Sequence, residues 1–238
     1  MTEKSYLDSI GDNIKRIKQE VSEAAIKAGR KPEEIRLMAV TKTVEPVFIN
    51  KAIEYGIDLI GENRVQEYIS KREELCLENV ETHLIGHLQT NKVRQIVGLV
   101  DMIQSVDSIH LAKEISRCSL KRGITTKILL EVNIGGEESK FGFTPGGLLN
   151  SIIEVAQLKG IEINGLMTVP PISNSTDRMR SFFSNMRQLF IDIAGKKLDN
   201  VNMNVLSMGM SGDYVEAVTE GSTMIRVGSA IFGNRNYR

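Results

Sequence analysis

Lys42 directly follows the apolar run Met38-Ala39-Val40-Thr41, so its ammonium stands at the end of a segment that must be buried. Partial desolvation lowers a lysine's pKa and suits its amine to Schiff-base formation with an aldehyde. A lone strand-end lysine more often reaches into water, so the reading rests on what accompanies it. Late in the chain, Ser207-Met208-Gly209-Met210-Ser211-Gly212 and Arg226-Val227-Gly228-Ser229 supply small residues that let backbone N–H groups approach an anion. Each segment alone reads equally well as a turn. With Lys42 they describe a site for a phosphorylated aldehyde.

Other polar residues are less decisive. Arg226 lies two residues before Gly228, so on a strand the two share a side. It reads as a structural ion-pair partner or as a cation in the barrel mouth. Facing a pyridine nitrogen, it would keep that nitrogen unprotonated and weaken the ring as an electron sink. Asn63, in Gly61-Glu62-Asn63, can donate to a ligand or simply form a βα turn, and Glu62 suits an ion pair. His83 and His87 are four apart, which on a strand separates them by about 13 Å, too far for one zinc; His83 reads as a hydrogen-bonded inward residue, and no metal is expected. His110 starts a helix without an evident partner. Gln89-Thr90-Asn91-Lys92 reads as a helix start capped by Thr90 or Asn91. The charged loop 135–142 matches neither a P-loop nor a dinucleotide fingerprint. Met167, in Gly165-Leu166-Met167-Thr168, ends a strand and can line the site.

These residues need a scaffold. Ile10, Ile14, Ile17, Val21, Ala24 and Ala28 recur at helical spacing, predicting an amphipathic helix over about 4–29 that stops before Gly29. From residue 36 onward short apolar runs alternate with helical patterns. Strands are read at 36–42, 59–62, 83–86, 101–106, 127–133, 165–169, 205–209 and 224–228. Eight strands with intervening helices predict an α/β fold, a single (β/α)8 TIM-type barrel over about 36–233 with an additional N-terminal helix. An open doubly wound sheet has similar content. No composition shift or linker divides the chain, so 1–238 is read as one domain. In a barrel, function gathers at the C-terminal strand ends, with phosphate after strands seven and eight.

Composition narrows the function. Thirty Lys plus Arg against thirty Asp plus Glu give a formal charge of zero. That removes the basic footprint of a nucleic-acid binder. No apolar stretch suits a signal peptide or membrane span, and Cys76 and Cys118 have no metal or disulfide spacing; both are read as packing residues of a cytoplasmic protein. Asn174-Ser175-Thr176 is read as a polar loop. A monomer is the default.

Taken in order, Ala39-Val40-Thr41-Lys42, Gly61-Glu62-Asn63, His83-Leu84-Ile85-Gly86, Leu88-Gln89-Thr90-Asn91-Lys92, Gly165-Leu166-Met167, Leu206-Ser207-Met208-Gly209-Met210-Ser211 and Arg226-Val227-Gly228-Ser229-Ala230-Ile231-Phe232-Gly233 form one pattern. It resembles the pyridoxal phosphate homeostasis protein family (YggS/PROSC), whose members resemble the N-terminal barrel of alanine racemase. The resemblance implies pyridoxal 5′-phosphate (PLP) as cofactor and Lys42 as the Schiff-base lysine. It implies that Ser207, Ser211, Gly228 and Ser229 hold the phosphate, that Arg226 meets the pyridine nitrogen, and that Asn63 and Met167 lie near the ring. It further implies a cytosolic role in vitamin B6 homeostasis, buffering PLP or delivering it to apo-PLP enzymes, without robust catalysis. Two other readings remain. One is a low-activity PLP enzyme acting on amino acids, although a racemase needs a base on each face of the Cα and Lys42 is the only evident candidate. The other is a class I aldolase in which Lys42 takes a phosphosugar.

Overall fold

Most strands read from the sequence carry apolar residues on both sides, which an open antiparallel sheet does not require and a barrel ringed by helices does. The computed structural model describes residues 3–137 and 139–233; Glu138 of the 135–142 loop and both ends of the 1–238 span lie outside them. Strands β1 (Arg36–Val40), β2 (Leu59–Glu62), β3 (Glu81–Leu84), β4 (Met102–Val106), β5 (Thr126–Glu131), β6 (Ile161–Met167), β7 (Val201–Ser207) and β8 (Met224–Val227) form a closed parallel barrel in sequence order, with β8 paired back to β1. Helices α2 (Pro46–Glu54), α3 (Val65–Lys71), α4 (Thr90–Ile96), α5 (Ile109–Arg122), α6 (Leu148–Ala156), α7 (Thr176–Ala194), α8 (Tyr214–Thr219) and α9 (Ser229–Phe232) follow the strands in turn. The (β/α)8 reading holds.

The additional helix, α1 (Glu3–Lys27), buries Ile10, Ile14, Ile17, Val21, Ala24 and Ala25 along one face. Burial of each isoleucine contributes roughly 1.5–3 kcal/mol relative to exposure. That face packs on α2, α8 and α9, the helices flanking the β8–β1 seam. Polar contacts fasten it there: Tyr6 Oη donates to Phe232 O at 2.6 Å and Asn13 Nδ2 donates to Ile231 O at 2.9 Å. Past the helix, Gly29 turns the chain with φ of 70°, and the Arg30 amide donates to Ala25 O at 2.9 Å, so the predicted stop at Gly29 is correct.

Alternation divides the strands cleanly. Ala39, Ile60, Leu84, Ile103, Leu130, Leu206, Ile225 and Val227 point outward to the helices. Inward, Met38, Leu59 and Met224 form one apolar cluster, and Met102, Leu129 and Met167 another, with Val205 touching both. Flexible thioethers fill the taper of a small barrel well.

Several local expectations change. Strand β1 ends at Val40, so Lys42 stands in the turn beyond it rather than on the strand. Strands β6 and β7 begin at Ile161 and Val201, ahead of 165 and 205, and β3 begins at Glu81. Gln89, not Thr90 or Asn91, occupies the N-cap of α4, and it makes no side-chain cap bond. Cys118 is buried, but Cys76 is exposed and does not pack.

Candidate functional site

Parallel closure brings all eight strand C-terminal ends to one mouth of the barrel, and with them Lys42, Asn63, Met167, Ser211, Arg226, Gly228 and Ser229. Met38 lines the barrel interior, and Lys42 follows the strand in the turn at the mouth, where it is half-buried. The turn around it is held by ions. Buried Lys71 donates to Thr41 O at 2.8 Å and pairs with Glu62 at 2.7 Å and Glu67 at 3.1 Å. Thr41 Oγ1 donates to the same Glu62 carboxylate, and the Thr43 amide donates to Glu67. Thr43 takes φ of 61°, a strained value for a β-branched residue. The carboxylates and Lys71 therefore fix the peptides on both sides of Lys42. Burial raises the Glu62 pKa, and Lys71 opposes that rise.

Asn63 follows β2 in a bend, and its buried Oδ1 has no hydrogen-bond partner among the described residues. Its backbone is pressed against Gly86, where an added Cβ would stand 2.2 Å from Asn63 O; only glycine fits. Met167, 1% exposed, ends β6 within the apolar lining.

On the opposite side of the seam, Arg226 points inward from β8 and is 3% exposed. Its Nη1 donates to Ser207 Oγ at 2.6 Å and its Nη2 to Thr168 O at 2.7 Å. Burial pulls its pKa down to about 10, against which Glu131 and then Asp213 act, so the guanidinium stays protonated at neutral pH. Ser207 departs from its expected place at the phosphate. It is fully buried, and its hydroxyl proton goes to Gln104 Oε1 at 2.7 Å while it accepts from Arg226. A phosphate accepts, and Ser207 has no second proton to donate.

Ser211, Gly228 and Ser229 do come together. Ser211 Oγ accepts from the Gly228 amide at 3.2 Å and the Ala230 amide at 3.3 Å, joining the turns after β7 and β8. Its own proton has no acceptor among the described residues. Among the described residues the amides of Ser211, Gly212 and Ser229 have no acceptor. Gly228 leaves a Cβ-sized space 3.4 Å from the Val40 side chain, two residues short of Lys42. The expected help from the helix after Ser211 is modest, because the Asp213 carboxylate sits at the start of α8 and accepts from the Met210 amide at 2.6 Å.

Sequence reasoning missed Glu131, Gln104, Lys71 and Asp107. Glu131 ends β5 on the inward side of Leu129, and burial, then repulsion from Asp107, raises its pKa to about 7. The signal that found Lys42, a charge terminating an apolar strand, was present in Leu129-Leu130-Glu131. The two histidines have separate partners: His83 lies between Gln104 and Glu81, as the inward reading expected, and His87 pairs with Asp107 at 2.9 Å and stacks on Phe141 at 3.8 Å. In the 135–142 loop, Lys140 Nζ donates to Pro170 O at 3.0 Å, tying the loop to the end of β6.

The arrangement suits a small phosphorylated aromatic aldehyde: a lysine whose flanking peptides are held by ions, an orphaned amide oxygen, free N–H groups across two joined turns, and a buried guanidinium. Residues 6–236 match the family model of the alanine racemase N-terminal domain, and the chain belongs to that family. More narrowly, it belongs with the pyridoxal phosphate homeostasis proteins. The Aquifex aeolicus protein of that name is 38% identical over 226 residues, covering 95% of this chain and 98% of the relative. Among solved structures, an unknown protein from Bifidobacterium adolescentis is 39% identical with a TM-score of 0.93, each chain covered to 98%. PipY of Synechococcus elongatus PCC7942, solved with PLP bound, is 34% identical with a TM-score of 0.78, covering 90% of this chain and all of PipY. Among the described residues no helix is long and apolar enough to cross a membrane.

Proposed function

We propose that this protein holds pyridoxal 5′-phosphate covalently on Lys42 and serves PLP homeostasis by buffering or delivering it, in the cytoplasm, as one barrel domain and a monomer. The observation that carries this reading is the joined pair of turns at Ser211 and Gly228, whose free amides face the same mouth as a half-buried lysine. When bound, PLP supplies an aldehyde carbon that condenses reversibly with an amine and a pyridine ring that can accept electrons. Ser211, through its hydroxyl, Gly228 and Ser229 hold the phosphate, with the Gly212 amide beside them. Asn63 offers its orphaned oxygen at the ring, and Met167 gives the ring an apolar wall. Arg226 meets the ring nitrogen, and Ser207 serves Arg226 from below in place of the phosphate role first read for it.

Arg226 supports holding over turnover, since a permanent cation opposes protonation of the nitrogen it faces and weakens the ring as an electron sink. A second reading, a low-activity enzyme acting on amino acids, has one observation in its favour: Glu131, near 7, is an acid–base group at the mouth. Turnover of any amino acid on the order of 1 per second would establish that reading.

The test is direct. Incubation with PLP, borohydride reduction and peptide mass spectrometry should give one adduct, on Lys42. Lys42→Ala should abolish it while unfolding stays cooperative, with stability changed by less than about 1 kcal/mol, because a half-buried side chain beyond the strand contributes little to the core. An adduct on another lysine, or none, overturns the proposal.

A further inference from the structure

Beneath Arg226 a row of polar side chains crosses the barrel interior from one end of the strands to the other. Arg226 Nη1 donates to Ser207 Oγ at 2.6 Å, and Ser207 Oγ donates to Gln104 Oε1 at 2.7 Å. Gln104 Nε2 lies 2.8 Å from His83 Nδ1, and His83 Nε2 lies 3.2 Å from Glu81 Oε2. Arg36 Nη1 ends the row on Glu81 at 2.9 Å. Glu81 opens β3 and Arg36 opens β1, so the row finishes at the barrel floor, opposite the mouth. Ser207, Gln104 and His83 are fully buried in an interior otherwise filled with methionine and leucine. Polar groups in such a place cost free energy unless every one is satisfied.

The direction of the row follows from its floor. The His83 hydrogen bond, and after it the Arg36 pair, holds the Glu81 carboxyl down at about 2, so at neutral pH it only accepts. His83 Nε2 must therefore carry a proton. Burial lowers the His83 pKa, which leaves the ring neutral and Nδ1 a bare acceptor. Gln104 can meet that acceptor only with its NH2, whose second hydrogen faces Met224 Sδ at 3.1 Å. Its Oε1 then faces Ser207, takes the hydroxyl proton, and leaves the serine lone pairs for Arg226. Reversing any one link would set donor against donor or acceptor against acceptor.

We propose that Glu81, His83 and Gln104 are positioning residues for the cofactor site: by fixing the direction of the Ser207 hydroxyl, they hold the Arg226 guanidinium where it meets the ring. This rests on the PLP reading above. None of the three touches the cofactor, and Glu81 is half-exposed at the far end of the barrel. An isosteric change there reaches the mouth only through the row.

Glu81→Gln tests it, because glutamine keeps the shape but can donate as well as accept, so both directions become available. In the apo-protein, ¹⁵N spectra of His83 should change from the single Nε2–H form to a mixture of tautomers. In the holo-protein the PLP absorption band should move, and the rate at which it is lost on dilution should rise about fivefold, the worth of one ordinary hydrogen bond. Asp58→Asn, which removes a floor charge 4.0 Å from Arg36 without touching His83, should change neither. Gln104→Leu breaks the row at its centre and should release PLP faster still; if that variant does not fold, Glu81→Gln decides alone. A Glu81→Gln protein whose band and off-rate match wild type overturns the relay, whatever its tautomer. Wild-type protein that shows no PLP band overturns the cofactor reading itself, and the relay with it, so the two failures are told apart.

Discussion

On the β1 side of the mouth, the turn that carries Lys42 is clasped by charge. Lys71, 7% exposed, bridges two carboxylates and the carbonyl that precedes Lys42. On the β8 side Arg226, equally buried, rests on a hydroxyl and a carbonyl, and no carboxylate lies within ion-pair distance of its guanidinium among the described residues. One support neutralises its cation at contact distance, whereas only the more distant Glu131 and Asp213 offset the charge of the other. The difference matches the tasks proposed for the two residues. A reacting amine needs its backbone fixed, which an ion clamp does at high desolvation cost. A group that must present positive charge to a ligand cannot spend that charge on a protein partner.

The comparison breaks first at Lys71. Lys71→Met strands Glu62 in the interior and should destabilise the fold by about 3–5 kcal/mol at neutral pH, measured by urea denaturation. Adding Glu62→Leu should restore part of that loss; no recovery would mean that the two do not act as a pair. An intermediate effect is expected at Glu131. Its folded pKa is raised above the ordinary 4.5, so its stabilising contribution is complete below that value and is lost as pH rises through about 7. Between about pH 5 and pH 8 the wild type should therefore lose roughly 2 kcal/mol relative to Glu131→Gln. Parallel stability curves would refute the assignment. The smallest stability change is expected at Arg226. Removing a buried cation that has no close anion should alter apo stability by less than about 1 kcal/mol in Arg226→Leu, while PLP retention falls about tenfold or more. A large loss of stability in the apo-protein would show that Arg226 is a structural ion after all.

Much of this was legible along the chain, and the gaps have physical causes. Strand order, the barrel and the first helix follow from periodicity, which is local. The early halves of β6 and β7, Ile161-Glu162-Ile163-Asn164 and Val201-Asn202-Met203-Asn204, alternate apolar with polar residues, the pattern of a half-buried strand, and so differ from the apolar runs by which the other strands are read. Lys71 sits in Lys71-Arg72-Glu73-Glu74, which looks like a solvated charge run; only the fold shows that Glu62 waits beneath it. Ser207 was read with the glycines that follow it. Its inward position on β7 instead turns it to Gln104 and Arg226, residues from strands that sequence distance hides. Lys42, Asn63, Arg226 and the Ser211–Gly228 turns stand out in the sequence because small or charged residues at apolar strand ends are visible without partners.

The β8–β1 seam, fastened from outside by α1, also bears on how the barrel forms. The turn that carries Lys42 and the strand that carries Arg226 are far apart in sequence, and the two halves of the mouth meet only where β8 docks on β1. Such a long-range pairing carries a large loop-closure cost. The mouth is therefore a late feature of folding, present only once the barrel has closed.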